Sequence, residues 1–257
     1  MRKIILLISV ILHFYTDCQI LNDSFFEKGI IKKEQPINQE KIYNEVLTKF
    51  YKFNESENVV DIDGNIYKTI KIDKQEWMIE NLKVTKYNNG SKIANITLSD
   101  WDNLNQGAWC YYKNDSSYNS KYGKLYNWYV INNNNLNVCP IGWSVPTIQD
   151  WNYLFNSLKV ENNIRGVQLT NSNFNVVLSG KRNIGNSLKE YDFYNLNIDI
   201  NWWTSNEKSK SAATSINVVK NYSNIFFSTE SKNAGLSIRC VKNHESEVIE
   251  KQSIRKF

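Results

Sequence analysis

Residues 139–151 read Cys-Pro-Ile-Gly-Trp-Ser-Val-Pro-Thr-Ile-Gln-Asp-Trp, and this stretch decides the fold of the chain around it. Its two prolines fix the backbone on either side of the first tryptophan. Thr147 is a good helix N-cap, and Asp150 follows at the spacing of a capping box. The sequence therefore predicts a helix over Ile148–Leu158. The apolar side chains predicted to form one stripe along it are Trp151, Leu154, Phe155 and Leu158.

Upstream, residues 59–72 alternate apolar and polar side chains around Asp63-Gly64. An Asp-Gly pair between alternating runs is a strong signal for a β-hairpin. The pattern Asp61-x-Asp63-Gly64-Asn65 also resembles the start of a calcium loop, but it lacks the distal bidentate Glu that such a loop needs. The hairpin is therefore the favoured interpretation.

The composition indicates one globular domain with extensions. The chain has 257 residues, of which 41% are hydrophobic and 13% aromatic, and this excludes a disordered protein. The net charge of +5 without a Lys/Arg cluster argues against a nucleic-acid partner. The two histidines, His13 and His244, lie outside the Trp77–Trp203 region that holds all eight tryptophans. The commonest general base and metal ligand is thus missing from the predicted core.

The N-terminus resembles a secretory signal peptide, assigned to residues 1–18. Arg2 and Lys3 precede the apolar run Ile4–Leu12, which is too short to span a bilayer. Cys18 is a candidate for lipidation, although Tyr15 and Asp17 match a lipoprotein signal poorly. Cleavage before Gln19 is the alternative. Either way, we expect an exported protein, in contact with the membrane only through such a lipid anchor.

Three further segments follow from composition. Residues 19–58 contain no tryptophan and predict a spacer with one amphipathic helix at 37–50. Residues 59–242 form the predicted domain. Residues 243–257 form a charged tail.

Four segments in this order resemble a known family: residues 75–87, 122–129, 139–151 and 235–241. They are similar to the Fibrobacter succinogenes major paralogous domain, a family of secreted and lipid-anchored bacterial proteins. The resemblance covers residues 59–242. In the second segment, Leu125, Trp128 and Tyr129 stand at helical spacing and predict a core face rather than a cofactor site.

A second, more distant family resemblance concerns the fold. Residues 145–151 are similar to the Pro-Thr-x-x-Glu-Trp helix start of the formylglycine-generating enzymes, and residues 235–239 to the final strand of that family. Both groups are counted among C-type-lectin-like folds. The resemblance implies an irregular α+β domain with short helices, twisted antiparallel sheets and long loops. Within it, Trp202–Ser205 would be a central strand.

The four cysteines are Cys18, Cys110, Cys139 and Cys240. An exported protein is expected to contain a disulfide. Three pairings are open among the last three cysteines. Cys139–Cys240 is preferred, since these two lie in the most specific family segments, and Cys110 takes part in a bridge otherwise.

Catalysis is not expected. The formylglycine-generating enzymes use a cysteine pair near the C-terminal part of the domain, where this chain offers Cys240 alone. Without a core histidine, no Ser-His or Cys-His arrangement forms. The remaining carboxylate pairs are better explained as solvated loops; they are Asp100 with Asp102 and Glu190 with Asp192. No cofactor or metal is predicted.

Binding is the expected role. The Glu-Pro-Asn and Gln-Pro-Asp triplets of C-type lectins are absent, which argues against calcium-mediated sugar binding. The candidates for an aromatic sugar platform are Trp101, Trp109, Tyr111 and Tyr112. We expect an envelope module that binds a glycan or a surface protein. A scaffold without a small ligand is the second hypothesis and an enzyme the third.

Overall fold

The computed structural model describes residues 54–97, 101–131, 136–158, 169, 174–184, 193–220 and 225–242. The predicted signal peptide, the spacer helix at 37–50 and the tail at 243–257 lie outside these ranges. Within them, no helix is long and apolar enough to cross a bilayer.

Short strands make up most of the described fold. They are β1 (Asn54–Val60), β2 (Ile66–Ile72), β3 (Gln75–Met78), β4 (Ala94–Asn95), β5 (Ala108–Cys110), β6 (Leu125–Tyr126), β7 (Trp143–Ser144), β8 (Lys181–Arg182), β9 (Phe193–Tyr194), β10 (Asp199–Glu207), β11 (Ala212–Val219), β12 (Ile225–Ser231) and β13 (Val241–Lys242). The helices are α1 (Asn119–Tyr122) and α2 (Ile148–Ser157), with 3₁₀ turns at Trp101–Asn103, Tyr112–Asn114, Ser116–Tyr118 and Trp128–Val130. β4 pairs with β5 in parallel, whereas the other described ladders are antiparallel. The fold is therefore α+β with antiparallel sheets and short helices, as the family resemblance implies.

The predicted hairpin is formed by β1 and β2. Gly64 adopts a φ of +82°, which its missing side chain allows in the turn. Asp61 closes this turn: its Oδ1 accepts from the backbone N–H groups of Asp63 and Asn65, both at 2.9 Å. Its Oδ2 accepts from the hydroxyl of Tyr67 at 2.6 Å. Asp61 thus caps the turn, whereas Asp63 accepts from Thr85 and pairs with Lys86. β1 begins at Asn54, so the folded domain starts earlier than residue 59.

The last strand, β13, lies between β3 and β7 in a five-stranded sheet of order β1-β2-β3-β13-β7. Val241 of β13 pairs with Trp77 of β3 and with Ser144 of β7. Beside it, Cys139 and Cys240 form the preferred disulfide, with Cα atoms 6.0 Å apart and 101 residues between them in sequence. Cross-links across loops of this length stabilise proteins by about 2–5 kcal/mol.

The capping box at α2 forms as predicted. Thr147 Oγ1 accepts from the N–H of Asp150 at 3.1 Å, and Asp150 Oδ2 accepts from the N–H of Thr147 at 2.8 Å. The predicted stripe is buried, and Trp151 stacks on Trp202 with ring centroids 5.4 Å apart. α2 thus packs against β10.

The three-stranded sheet β10-β11-β12 runs between two hydrophobic clusters. Trp202 and Ile216 are paired on one face and belong to the cluster that contains α2. Trp203 and Ala213 point to the other face and belong to the cluster that contains the disulfide. On the side of β10 away from β11, the N–H of Trp203 donates to the carbonyl of Ser237 at 3.0 Å. β10 therefore has partners at both edges, in agreement with the predicted central strand.

The helical spacing predicted around Leu125 is wrong. Leu125 lies in β6, which pairs with β5, and only Trp128–Val130 form a 3₁₀ turn. Gly123 explains the difference. Its φ is +75°, and a Cβ there would lie 2.8 Å from the carbonyl oxygen of Leu82, so the chain enters β6 through a close approach. The predicted core position holds for Leu125 and Trp128, both 2% exposed, whereas Tyr129 is half-buried.

Candidate ligand-binding site

The predicted aromatic platform lies mostly inside the domain. Trp101 is 0% exposed, Trp109 6% and Tyr112 5%. The indole N–H groups are also occupied, because Trp101 Nε1 donates to the carbonyl of Asn233 and Trp109 Nε1 to that of Ile93. A sugar ring stacks on an exposed aromatic face, so these three residues do not form such a platform. The prediction failed because aromatic content alone does not distinguish core from surface.

Tyr111 is the half-buried member of that group, and Lys124 holds it in place. Lys124 Nζ lies 4.8 Å from the ring centroid of Trp109 and 5.2 Å from that of Tyr111. It donates to the carbonyl of Lys83 and, at 3.2 Å, to Asn119 Oδ1. Burial lowers the pKa of Lys124 to about 8, which the carboxylates of the β1–β2 turn partly oppose. We infer that Lys124 has a structural role, fixing the positions of the Trp109 and Tyr111 rings.

A second buried cation, Arg239, joins distant parts of the domain. Its Nη1 donates to the carbonyl of Phe174 at 2.6 Å, and its Nη2 to Asn81 Oδ1 at 3.1 Å. The guanidinium lies between the rings of Phe174 and Trp202, at 4.6 and 4.8 Å from their centroids. Desolvation lowers the pKa of Arg239, and the charge of Glu80 opposes this. Arg239 is 0% exposed, so its contacts stabilise the core.

The face of β10-β11-β12 that contains Trp203 also carries several polar side chains. Residues opposite each other in an antiparallel ladder share a face, and Asn217 lies opposite both Asn201 and Phe226. Alternate positions along each strand extend the same face. Trp203 and Ala213 lie on this face too and are buried in the cluster that contains the disulfide. We call the remaining positions the polar sheet face and define it by Asp199, Asn201, Ser215, Asn217, Phe226, Ser228 and Glu230.

Asparagine amides organise the buried end of the polar sheet face. Asp199 Oδ2 accepts from Asn195 Nδ2 at 2.7 Å, and its Oδ1 from Asn201 Nδ2 at 3.2 Å. Asn217 Nδ2 donates to Asn201 Oδ1 at 3.1 Å. Burial raises the pKa of Asp199, while the Asn195 hydrogen bond and the positive charge of Lys181 oppose this shift. Neutral donors thus fix the orientation of this carboxylate.

An aromatic ring and an ion pair lie on β12, the outer strand of this sheet. Lys181 of β8 reaches Glu230 of β12, with Nζ and Oε1 2.9 Å apart and each side chain 18% exposed. Phe226 is 42% exposed on the polar sheet face, and Phe227 is 41% exposed on the opposite face of the same strand. The arrangement combines hydrogen-bond donors, acceptors and an apolar ring on one rigid support, which suits ligand binding.

Sequence reasoning missed the polar sheet face. The available signal was the alternation Asp199-Ile-Asn201-Trp, in which polar residues take every second position of a strand otherwise rich in core residues. The relation of Asn201 to Asn217 and Phe226 depends on strand register, which the sequence did not specify.

Only some of the other predicted site residues lie in the part of the chain that the structure describes. Asp102 is exposed, whereas Asp100, Glu190, Asp192 and Cys18 lie outside the described residues. Cys110 is buried and is not part of the Cys139–Cys240 bond. Among the described residues, no group of three or more His, Cys, Asp or Glu side chains is arranged to hold a metal ion.

Comparison with protein families matches residues 70–242 to the Fibrobacter succinogenes major domain. The chain belongs to this family. The match includes the disulfide, α2 and the whole polar sheet face. No curated protein and no solved structure matches the chain.

Proposed function

We propose that this chain is an exported binding module of the bacterial cell envelope whose ligand is a glycan or a surface protein. The observation that carries the proposal is the polar sheet face, where amide, carboxylate and ammonium groups share one face of the sheet with the partly exposed Phe226. Family membership supports it, since the family is one of secreted and lipid-anchored proteins. The signal-like segment at residues 1–18 fits export, with Cys18 as the candidate anchor.

We propose that this chain has a C-type-lectin-like fold. The short helix begun by Thr147, the central strand β10 and the return of β13 beside β3 agree with this assignment. In such a fold, function resides in side chains carried on a rigid scaffold and not in the scaffold itself. The proposal therefore rests on the side chains described above.

Binding without turnover is the proposed activity. The Asp199 carboxylate is occupied by asparagine amides, and Glu230 is paired with Lys181. A general acid or base needs a carboxyl group that is available to a substrate proton. Hydrogen-bonded and ion-paired carboxylates are better suited to recognition than to proton transfer.

The test is thermal unfolding of the purified protein with a panel of envelope glycans and polysaccharides, in calcium and in chelator. A ligand that binds the folded state raises the midpoint by mass action. A saturable shift with one glycan class would support the proposal, and its dependence on calcium would show whether a metal takes part. If no glycan shifts the midpoint and no surface protein is retained by immobilised chain, the scaffold hypothesis replaces it.

A further inference from the structure

The strand β12 has an outer edge with no strand partner among the described residues. The N–H of Lys232 donates to the carbonyl of Ser211 at 2.9 Å, one position beyond the β11–β12 ladder. Because antiparallel ladders alternate hydrogen-bonded and non-hydrogen-bonded pairs, Ile225, Phe227 and Thr229 turn their backbone N–H and C=O groups away from β11. In the described part of the chain, no residue forms a hydrogen bond with these outward groups.

The far side of the same sheet supports this assignment. By the same alternation, Asn217 of β11 bonds to β12, and its neighbour Ile216 bonds to Trp202 of β10. The backbone of the next residue, Trp203, must then face away from β11. Its N–H does so, because it donates to the carbonyl of Ser237 outside the three-stranded sheet.

β12 lacks the features that usually protect an exposed strand edge, which are lysine, proline and bulges. The strand Ile225–Ser231 contains no Lys, Arg or Pro, and its ladder with β11 has no register shift. Phe227 is 41% exposed, and Thr229 is exposed as well. An unpaired strand of this kind is a template to which another strand can be added.

β1, the outer strand of the five-stranded sheet, is protected by comparison. Its pairing with β2 shifts register between Ser56 and Val59, and Glu57 within this shift is exposed. Bulges and charged side chains oppose the addition of another strand. The domain thus protects the edge at β1 and leaves the edge at β12 available.

We propose that β12 pairs antiparallel with β12 of a second copy of this chain, which joins two three-stranded sheets into one sheet of six strands. A two-fold axis at Phe227 places this residue opposite its own copy and Ile225 opposite Thr229. The outward N–H and C=O groups of the two strands then bond to each other. This inference goes beyond the proposed function and does not depend on the ligand.

The side chains of β12 suit a second copy as the partner. The paired stretch Ile225–Thr229 is uncharged, so the two-fold axis brings no like charges together, and Glu230 lies outside the stretch. The two partly exposed Phe227 rings become cross-strand neighbours, and aromatic pairs of this kind stabilise sheets. The edge is therefore complementary to itself, as a two-fold interface requires.

The expected dimer is weak because the paired stretch is short. Interfaces that bury less than about 1,200 Å² are typical of transient complexes. We therefore expect a reversible dimer with a dissociation constant of about 10–100 µM.

The position of Phe227 on the axis allows a charge-swap test. Phe227→Lys or Phe227→Glu alone places two like charges opposite each other and should raise the dissociation constant about tenfold or more. An equimolar mixture of the two variants places opposite charges there and should restore the dimer. Thr97→Lys is the control, since it adds a charge at an exposed residue outside β12 and should change the constant by less than about twofold.

The experiment is sedimentation equilibrium of the purified full chain from about 5 to 500 µM, with near-UV circular dichroism to check that each variant is folded. Hydrogen exchange of the wild type requires no variant: the amides of Phe227 and Thr229 should exchange more slowly at the highest concentration than at the lowest. We expect a concentration-dependent dimer in the wild type, in Thr97→Lys and in the mixture, and monomers in each charged variant alone.

Three results would overturn the inference, and the proposed binding function would stand in each case. They are a wild type that stays monomeric at every concentration, a dimer that persists unweakened in both charged variants, and a mixture that remains monomeric. The first result would leave the edge of β12 to an extended segment of a different protein. The second would place the dimer contact elsewhere on the chain.

Discussion

Trp202 and Arg239 donate to the same oxygen, Oδ1 of Asn81, at 2.9 and 3.1 Å. Asn81 is 3% exposed, and its own Nδ2 donates to the carbonyl of Tyr122 at 3.0 Å. One carboxamide therefore accepts from a buried indole and from a buried guanidinium, and it ties both to the segment before β6. Because a buried donor that loses its acceptor is costly, above all on a charged group, Asn81 is a central element of the core.

Replacing Asn81 with Ala should lower the free energy of unfolding by about 3–5 kcal/mol, because it removes an acceptor from a buried charge. Urea denaturation measures the change. Tyr153→Phe is the control, since it removes an exposed hydrogen bond to Asp73 and should cost less than about 1 kcal/mol. A loss below about 1 kcal/mol in Asn81→Ala would contradict this role of the amide.

The Cys139–Cys240 bond should contribute about 2–5 kcal/mol to stability. Wild-type protein should therefore unfold at a lower temperature in reductant, whereas the double variant Cys139→Ser/Cys240→Ser should respond little to it. Non-reducing peptide mapping provides the direct check. Recovery of Cys139 as a free thiol, or joined to Cys110, would refute the pairing.

Lys124 should make stability depend on pH. Its pKa is about 8 in the folded protein and about 10.4 in an unfolded chain, so the unfolded state binds more protons between these values. The free energy of unfolding should therefore rise with pH in this window, by at most about 1.4 kcal/mol per pH unit. Lys124→Met removes this contribution.

The informative quantity is the difference between wild type and Lys124→Met in urea titrations at about pH 7.5, 8.5 and 9.5. The buried tyrosines Tyr67 and Tyr126, whose pKa values burial raises, are present in both proteins and cancel in the difference. A difference that stays constant with pH would show that Lys124 does not titrate in this range.

The capping box at α2 offers a local test. Thr147→Ala should cost about 1 kcal/mol, because the N–H of Asp150 loses its acceptor at the partly buried helix start. Thr147→Ser keeps the hydroxyl and should stay within a few tenths of a kcal/mol of wild type. Equal stability of the two variants in guanidinium denaturation would argue against a role for this cap.

What the sequence predicted correctly was mostly local. The cap at Thr147 and the turn at Asp61 depend on neighbours within a few residues, and both form as expected. The strand at Trp202 and the disulfide followed from the family resemblance. The cap and the turn need no knowledge of how distant segments pack.

What the sequence did not predict depends on long-range packing. Trp109 and Tyr111 are two residues apart, yet one is buried and the other half-buried because Lys124 and the β5–β6 pairing position them. Asn201, Asn217 and Phe226 become neighbours only through the register of three strands. A single sequence records neither relation, so the candidate site emerged from the structure alone.

The disulfide also determines how far the chain can be stretched. A covalent bond joins positions 101 residues apart, so tension applied to the two ends of the chain passes through the sulfur atoms and bypasses the segment between them. The strands β10, β11 and β12 all lie within that segment. Under such tension the chain would thus lengthen by extending its N-terminal hairpin and the residues before Cys139, while the enclosed strands remain unstrained.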